Sequence, residues 1–399
     1  MKRITLGLVA AAASLSLFAG CGGNSGPTDS GSAGDNAATT VKIGLNYELS
    51  GDVATYGQDS VKGIQMAVDE ANAAGGIKVG GKDMKVELVT YDTKSEPAEA
   101  TTSATKLMTQ DKVVAIIGPA TSGSFKATIP VANKNKVPVI SGSATADDVT
   151  VTASGEVQEY AFRTCFSDSF QGTAMANYAS QTLNAKTALI IKDSSSDYAK
   201  GLASNFTKTF TASGGKIVDE QAYAKGDNDF NAILTRARGE QFDVIYLPGY
   251  YQEAGLIIKQ ARELGITVPV LGADGFDSPT LLQLAGAAAL NKVYFTNHYS
   301  SLDKDPKVVT FISDFKAKNN ADPNAFNAMG YDSANVVMDA ITRASALTGE
   351  AVQKALAQTK DFPAVTGTLS VDDQHNAIKD IVVIELKDGV QASSEKVSS

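Results

Sequence analysis

The sequence predicts an α/β protein built as two doubly wound, Rossmann-like lobes with a hinge and a ligand cleft between them. Three observations carry this expectation. Short apolar runs alternate with amphipathic helical stretches, the alternation begins again midway along the chain, and the loops after corresponding runs carry similar chemistry. Near-continuous apolar strands separated by helices imply a parallel sheet covered on both faces. The body is also longer than one core comfortably serves, which favours two lobes.

The chain opens with Met1-Lys2-Arg3, followed by an uncharged apolar run from Ile4 to Gly20. That run is too short, and wrongly flanked, to cross about 30 Å of hydrocarbon. It fits the basic start and apolar centre of a secretory signal, giving residues 1–20 as a signal peptide. Leu17-Phe18-Ala19-Gly20-Cys21 resembles a bacterial lipobox, in which Cys21 is lipidated and becomes the mature N-terminus. Phe18 stands where such boxes usually hold Leu or a similar aliphatic residue. The other reading is an ordinary signal cleaved near Gly20, with Cys21 an incidental thiol. Residues Gly22 to Thr40 are almost entirely Gly, Ser, Asn, Asp, Ala, Thr and Pro. They cannot bury enough apolar area to offset their ordering entropy. Residues 21–40 therefore read as a lipidated, disordered tether spanning roughly 25 Å, holding a folded body near a membrane. One acyl chain binds a membrane weakly, and bacterial lipoproteins carry more than one.

The first half of the body has strand-like runs at Val41 to Leu45, Val86 to Tyr91, Val113 to Gly118 and Pro138 to Ser141. A helix is predicted over Gln58 to Ala73, with Val61, Ile64, Val68 and Ala71 on one face and Gly75-Gly76 closing it. The pattern restarts with strands at Thr187 to Ile191, Lys216 to Tyr223, Asp243 to Leu247 and Val268 to Gly272. Helices at Asp197 to Ser213, Asp229 to Arg238 and Tyr251 to Leu264 lie between them. Further helices follow at Pro306 to Lys318, Ala325 to Leu347 and Glu350 to Thr359, then strands at Gly367 to Val371 and Ile381 to Leu386. Late elements of this kind often return to complete an earlier lobe. The expected division is 41–165 plus 299–377 for the first lobe and 166–298 plus 378–395 for the second.

Several chemistries find no support. The net charge of −9 carries no basic stripe that would offset a phosphate field, so nucleic acid is not an expected partner. Of the two cysteines, Cys21 is assigned to the anchor, which leaves Cys165 alone and no internal disulfide. His298 and His375 are far apart with no cysteine cluster, and lone histidines are more often structural than metal ligands. Ser122 lies in Ala120-Thr121-Ser122-Gly123, which lacks the glycine a nucleophile elbow needs two residues earlier. No GxGxxG follows the first strand and no phosphate-binding loop occurs, so no nucleotide cofactor is expected. Asp227-Asn228-Asp229 lacks the rest of a calcium loop and reads as a helix start. The chain carries no enzyme signature, and no cofactor is expected.

Ligands of open parallel sheets bind outside the carboxyl ends of the strands, where strand order reverses. Tyr56, Thr121-Ser122 and Ser143-Ala144-Thr145 follow strands of the first half. Tyr198, Tyr250-Tyr251 and Asp274 follow strands of the second. If the halves face each other, these residues converge. Serine and threonine hydroxyls with backbone N–H groups at helix starts suit a carboxylate. Asp274 offers an ammonium a charge-assisted hydrogen bond, and the tyrosines give apolar faces with polar tips. Each residue alone reads equally as a cap or turn residue; six equivalent loop positions reading alike carry the argument.

The stretches Leu49-Ser50-Gly51…Tyr56-Gly57, Asn72-Ala73-Ala74-Gly75-Gly76-Ile77, Gly118-Pro119-Ala120-Thr121-Ser122 and Phe162-Arg163-Thr164…Asp168…Gln171-Gly172 resemble the branched-chain amino-acid-binding proteins of ABC importers. Asp193…Asp197-Tyr198-Ala199-Lys200-Gly201, Gly226-Asp227…Asp229-Phe230, Gly249-Tyr250-Tyr251…Glu253 and Gly272-Ala273-Asp274-Gly275 extend the match over nearly the whole mature chain. The resemblance implies a type I periplasmic-binding-protein fold with three hinge crossings. It implies a monomeric, extracytoplasmic receptor that closes on an amino acid, of the Leu/Ile/Val class, and delivers it to an ABC permease. It places Ser122 and Thr145 at the ligand carboxylate, Ser143 and Ala144 beside them, and Asp274 at the ammonium with Tyr250 and Thr145 near. Tyr56, Tyr198 and Phe326 become walls around the side chain. Asp274 departs from the glutamate common in Leu/Ile/Val binders, Ala120 is smaller than the usual aliphatic wall, and the disulfide of some members is absent. Another amino acid or a small amide as cargo, or a sensory role, stands as the alternative. Asp274 disfavours amides, and sensors usually carry a membrane helix in the same chain, which is not visible after residue 20.

Overall fold

The computed structural model describes residues 40–397; the predicted signal, Cys21 and the tether to residue 39 lie outside the described residues. The first half of the body runs β1 (Thr40–Tyr47), α1 (Ala54–Ala73), β2 (Ile77–Val79), β3 (Lys82–Asp92), α2 (Pro97–Thr109), β4 (Ala115–Ile117), α3 (Ser122–Asn135), β5 (Val139–Ser141) and β6 (Ala161–Arg163). The second runs α4 (Asp168–Asn177), β7 (Thr187–Asp193), α5 (Asp197–Ala212), β8 (Lys216–Tyr223), α6 (Asn231–Ala237), β9 (Val244–Tyr246), α7 (Tyr251–Glu263), β10 (Val270–Gly272), α8 (Pro279–Ala285) and β11 (Val293–Asn297). The remainder comprises α9 (Pro306–Asn319), α10 (Ala325–Arg343), α11 (Gly349–Ala357), β12 (Phe362–Ala364), β13 (Gly367–Val371), β14 (Ala377–Ile378), β15 (Ile381–Lys387) and β16 (Val390–Val397).

Two large sheets define two lobes. The first has strand order β2-β3-β1-β4-β5-β6, parallel except for the β2–β3 hairpin. The second has order β16-β15-β11-β10-β9-β7-β8, with β8 through β11 parallel. Strands β4, β5, β9 and β10 are buried at every residue, because helices cover both of their faces. Strand β3, second from the edge, instead alternates between exposed and buried over residues 83–87. Strands β15 and β16 return late in the chain and pair antiparallel with β11 and with each other.

The late helices return to the other lobe. Helix α10 crosses α1 at backbone contact, and glycine makes this possible on both sides. A Cβ on Gly63 would stand 1.9 Å from the Asn327 carbonyl oxygen, and one on Gly330 would stand 2.2 Å from that of Ser60. Asn324 and Asn327 close a reciprocal capping box at the start of α10. Asp332 of α10, fully buried, accepts from the backbone N–H groups of Val365 and Thr366 and so ties the small β12-β13-β14 sheet to the same lobe. The chain passes between the large sheets at residues 164–167, 298–305 and 379–380.

Candidate ligand cleft

Strand order reverses between β1 and β4 in one sheet and between β7 and β9 in the other. The loops leaving the carboxyl ends of these strands face each other across the lobes. Tyr56 sits in the first turn of α1, Ser122 opens α3, and Ser143 follows β5. Opposite them, Tyr198 lies in the first turn of α5, where the Ser196 side chain caps the helix by accepting from Ala199 N–H. Tyr250 precedes α7, and Asp274 begins the tight turn after β10. Together with Ala120, Thr121, Gly275 and Phe326 of α10, these residues line one narrow cavity.

The cavity has a charged end. The Asp274 carboxylate is buried; its Oδ1 accepts from the Tyr198 hydroxyl at 2.6 Å, and its Oδ2 lies 3.2 Å from His298 Nε2. Tyr198 Oη in turn accepts from Gly275 N–H at 3.0 Å, and Asp274 N–H donates to Gln171 Oε1 at 3.3 Å. Burial pulls the His298 imidazole down to about 4, so the ring is neutral near pH 7. Burial also pushes the Tyr198 phenol well above its ordinary value, reinforced by the Asp274 charge, so it remains a donor. A second acid, Asp168 at the start of α4, is fully buried nearby; burial raises its carboxyl well above the usual range, with the Asp274 charge adding to the effect.

The other end is aromatic. Tyr56 stacks on Phe326 with centroids 4.3 Å apart, Tyr250 meets Tyr56 edge-on at 5.7 Å, and Tyr250 stacks on Tyr198 at 5.1 Å. Ala120 adds a small side chain to the lining. The Ala120–Thr121 loop is held from below by Glu48, a fully buried carboxylate. It accepts from Ala120 N–H at 3.0 Å, Thr121 N–H at 3.1 Å and the Thr121 hydroxyl at 2.8 Å. Burial raises the Glu48 pKa, and these three donors oppose the shift.

The lobes meet around the cavity. The Tyr56 hydroxyl donates to the Gly275 carbonyl, and Tyr251 Oη donates to the Asp52 carbonyl at 3.1 Å. Lys225 of the second lobe lies 3.3 Å from Asp52 and 3.2 Å from Glu96 of the first. On the other flank Lys126 bridges Asp148 and, across the lobes, Asp197 at 2.9 Å.

Seven of the residues singled out from the sequence line this cavity: Tyr56, Ser122, Ser143, Tyr198, Tyr250, Asp274 and Phe326. The hydroxyls of Ser122 and Ser143 are engaged locally, with Ala146 N–H at 3.1 Å and the Ala120 carbonyl at 2.9 Å. Ala144 and Thr145 lie behind the wall. Ala144 packs in the first lobe's core, its N–H donating to Ser141 Oγ. Thr145 is fully buried, and its hydroxyl has no hydrogen-bond partner among the described residues. Sequence reasoning missed Glu48, Asp168 and His298. His298 was detectable in principle, because it directly follows β11 and so occupies the same strand-end position as the residues that were found. Cys165 is buried, its thiol pushed up to about 12 by burial.

Two doubly wound lobes, crossed three times by the chain and closing on a cavity at their strand ends, are the architecture of a type I periplasmic-binding protein. The chain belongs to the periplasmic binding protein family, whose model matches residues 40–391. It is 34% identical over 335 residues to the Leu/Ile/Val-binding protein BraC3 of Rhizobium johnstonii, covering 84% of this chain and 88% of the relative. Among solved structures it is similar to the branched-chain amino acid transporter substrate-binding protein LivJ of Streptococcus pneumoniae, in complex with isoleucine. That likeness has 42% identity, a TM-score of 0.84, and covers 90% of this chain and all of the other. It is also similar to the leucine-binding protein LivK of Thermotoga maritima, with 35% identity, a TM-score of 0.83, and 90% of this chain and 99% of the other covered. Among the described residues no helix is long and apolar enough to cross a membrane.

Proposed function

We propose that this protein captures a branched-chain amino acid by closing its lobes and delivers it to an ABC permease. The observation that carries the reading is the polarity of the cavity, with a buried, doubly hydrogen-bonded Asp274 carboxylate at one end and the Tyr56–Phe326 stack at the other. A carboxylate held in a dry site pairs well with an ammonium. An aromatic wall favours an apolar side chain, and the printed cargo of the S. pneumoniae relative is isoleucine. Ser122 and Ser143 form the carboxylate end of the proposed site, with Ala144 and Thr145 behind them and Tyr198 and Tyr250 between the poles. The site does no covalent chemistry; it binds and releases.

The same proposal includes a monomer anchored through lipidated Cys21 and facing outward from the cell membrane, on the support of the signal-like residues 1–20 and the polar tether. The lobe division 41–165 plus 299–377 and 166–298 plus 378–395 is also part of it, on the support of the sheet membership of the returning elements. The test is a thermal-shift panel of the twenty amino acids and small amides. A ligand at a hundred times its Kd stabilises the folded state by about 2.7 kcal/mol, which corresponds to a shift of several degrees. Ile, Leu or Val should give the largest rise. A panel in which no amino acid raises Tm, or in which amides do so best, rejects the reading.

A further inference from the structure

His298 stands where the ligand pole meets the hinge. It follows β11 at the second interlobe crossing, and its ring stacks on Phe166 of the first crossing with centroids 3.6 Å apart and planes 11° from parallel. Its side chain is fully buried. Nε2 faces Asp274 Oδ2 at 3.2 Å, while Nδ1 has no hydrogen-bond partner among the described residues. The charged groups whose fields act on this ring are Asp274 and Lys379, the latter at the third crossing, where it donates to the Thr366 hydroxyl. A neutral imidazole facing a carboxylate through Nε2 must carry its proton there, since a bare ring nitrogen would oppose the carboxylate lone pairs. The Tyr198 hydroxyl takes the other oxygen, so both Asp274 oxygens are fixed by donors from different elements.

We propose that His298 is a positioning residue for ligand recognition, holding the Asp274 carboxylate in the orientation that receives the ligand ammonium and tying it to the Phe166 side of the hinge. The proposal rests on the amino-acid reading of the cleft. A carboxylate already held in its binding orientation loses less freedom when the ligand arrives. His298 supplies that hold from outside the cavity, as it is not among the residues that line it. Its neutrality matters as well, because a protonated ring would neutralise Asp274 and compete with the ammonium.

The experiment is a double-mutant cycle in L-isoleucine affinity, read by calorimetry, with His298→Leu, His298→Gln and Asp274→Asn. His298→Leu removes a hydrogen bond to a charged group and should weaken binding about tenfold or more. His298→Gln keeps an N–H donor at similar reach and should restore most of the affinity. In the Asp274→Asn background, His298→Leu should cost no more than about twofold, because the group it positions is already altered. If His298→Leu does not fold, His298→Asn replaces it, its amide being too short to reach Asp274. Equal losses for the glutamine and truncated variants, or the same loss in both backgrounds, overturn the positioning role while leaving the cargo intact. Absence of isoleucine binding by the wild-type protein instead overturns the cargo reading itself.

Discussion

Asp274→Asn changes one atom of the cleft and leaves its shape intact, which makes the outcome calculable. The wild-type carboxylate is buried and accepts from Tyr198 at 2.6 Å and His298 at 3.2 Å. Removing one partner of a buried charge pair costs about 3–5 kcal/mol, and losing a hydrogen bond to a charged group costs about 1.5–3 kcal/mol. Asparagine retains one carbonyl oxygen, so the loss should fall near 2–4 kcal/mol, roughly 30- to 700-fold in Kd. The unliganded fold should suffer less. The new amide must confront one of two donors, but His298 can move its proton to Nδ1, which has no partner, and accept through Nε2. The assay is calorimetry at neutral pH with isoleucine and with its deaminated analogue, alongside denaturant unfolding without ligand. The variant should bind isoleucine far more weakly and the analogue about as well as the wild type does. A folded variant with unchanged isoleucine affinity would refute the assignment of Asp274 to the ammonium.

Two other outcomes follow from the same geometry, and a third from the sequence alone. Gly330→Ala should destabilise the protein by about 1–3 kcal/mol in chemical denaturation, since the new Cβ would meet the Ser60 carbonyl oxygen 2.2 Å away across α1 and α10. Gly123→Ala, with no atom within 4 Å of the added Cβ, should be neutral or slightly stabilising, and equal effects would contradict the crossing. Lys225→Ala removes the pairs to Asp52 and Glu96 across the cleft mouth and should speed ligand release a few-fold in low salt. Screening should shrink the difference at high salt, and a stopped-flow release rate indifferent to both the mutation and salt would exclude these pairs from closure. Cys21→Ser should move the protein from the membrane to the soluble fraction, and continued membrane association would reject the lipid anchor.

Much of the architecture was written in the hydrophobic pattern. β8 and β13 begin and end where the apolar alternation does, and the other strands expected from the sequence differ by a few residues at their ends, whereas β2, β6 and β11 were not expected. The short strands β4, β5, β9 and β10 were legible because complete burial makes them continuous apolar runs. Helices α2 and α3 were not. α2 is rich in threonine, whose hydroxyls bond back to carbonyls one turn earlier, and α3 carries Pro130 inside it, which obscured the stripes Ala100, Ala104, Leu107, Met108 and Phe125, Ile129, Ala132 that the two helices bury. β16 is mostly exposed and polar, and it is a strand because β15 offers it an antiparallel edge. The cleft was legible through position rather than residue type, since every lining residue named from the sequence other than Phe326 follows a strand. Glu48 and His298 escaped because their roles depend on which backbone or carboxylate folds over them, which local pattern does not encode. Ala144 and Thr145 share a loop with Ser143 but turn away from the cavity.

The central claim is that the Asp274 pole takes an ammonium while the Tyr56–Phe326 stack takes a branched side chain. A crystal structure of the protein with bound L-isoleucine tests it most directly. The account predicts the ligand nitrogen at roughly 2.7–2.9 Å from an Asp274 oxygen, with the sec-butyl group against the Tyr56 and Phe326 rings. Isoleucine bound with its nitrogen away from Asp274, or outside this cavity, would contradict it.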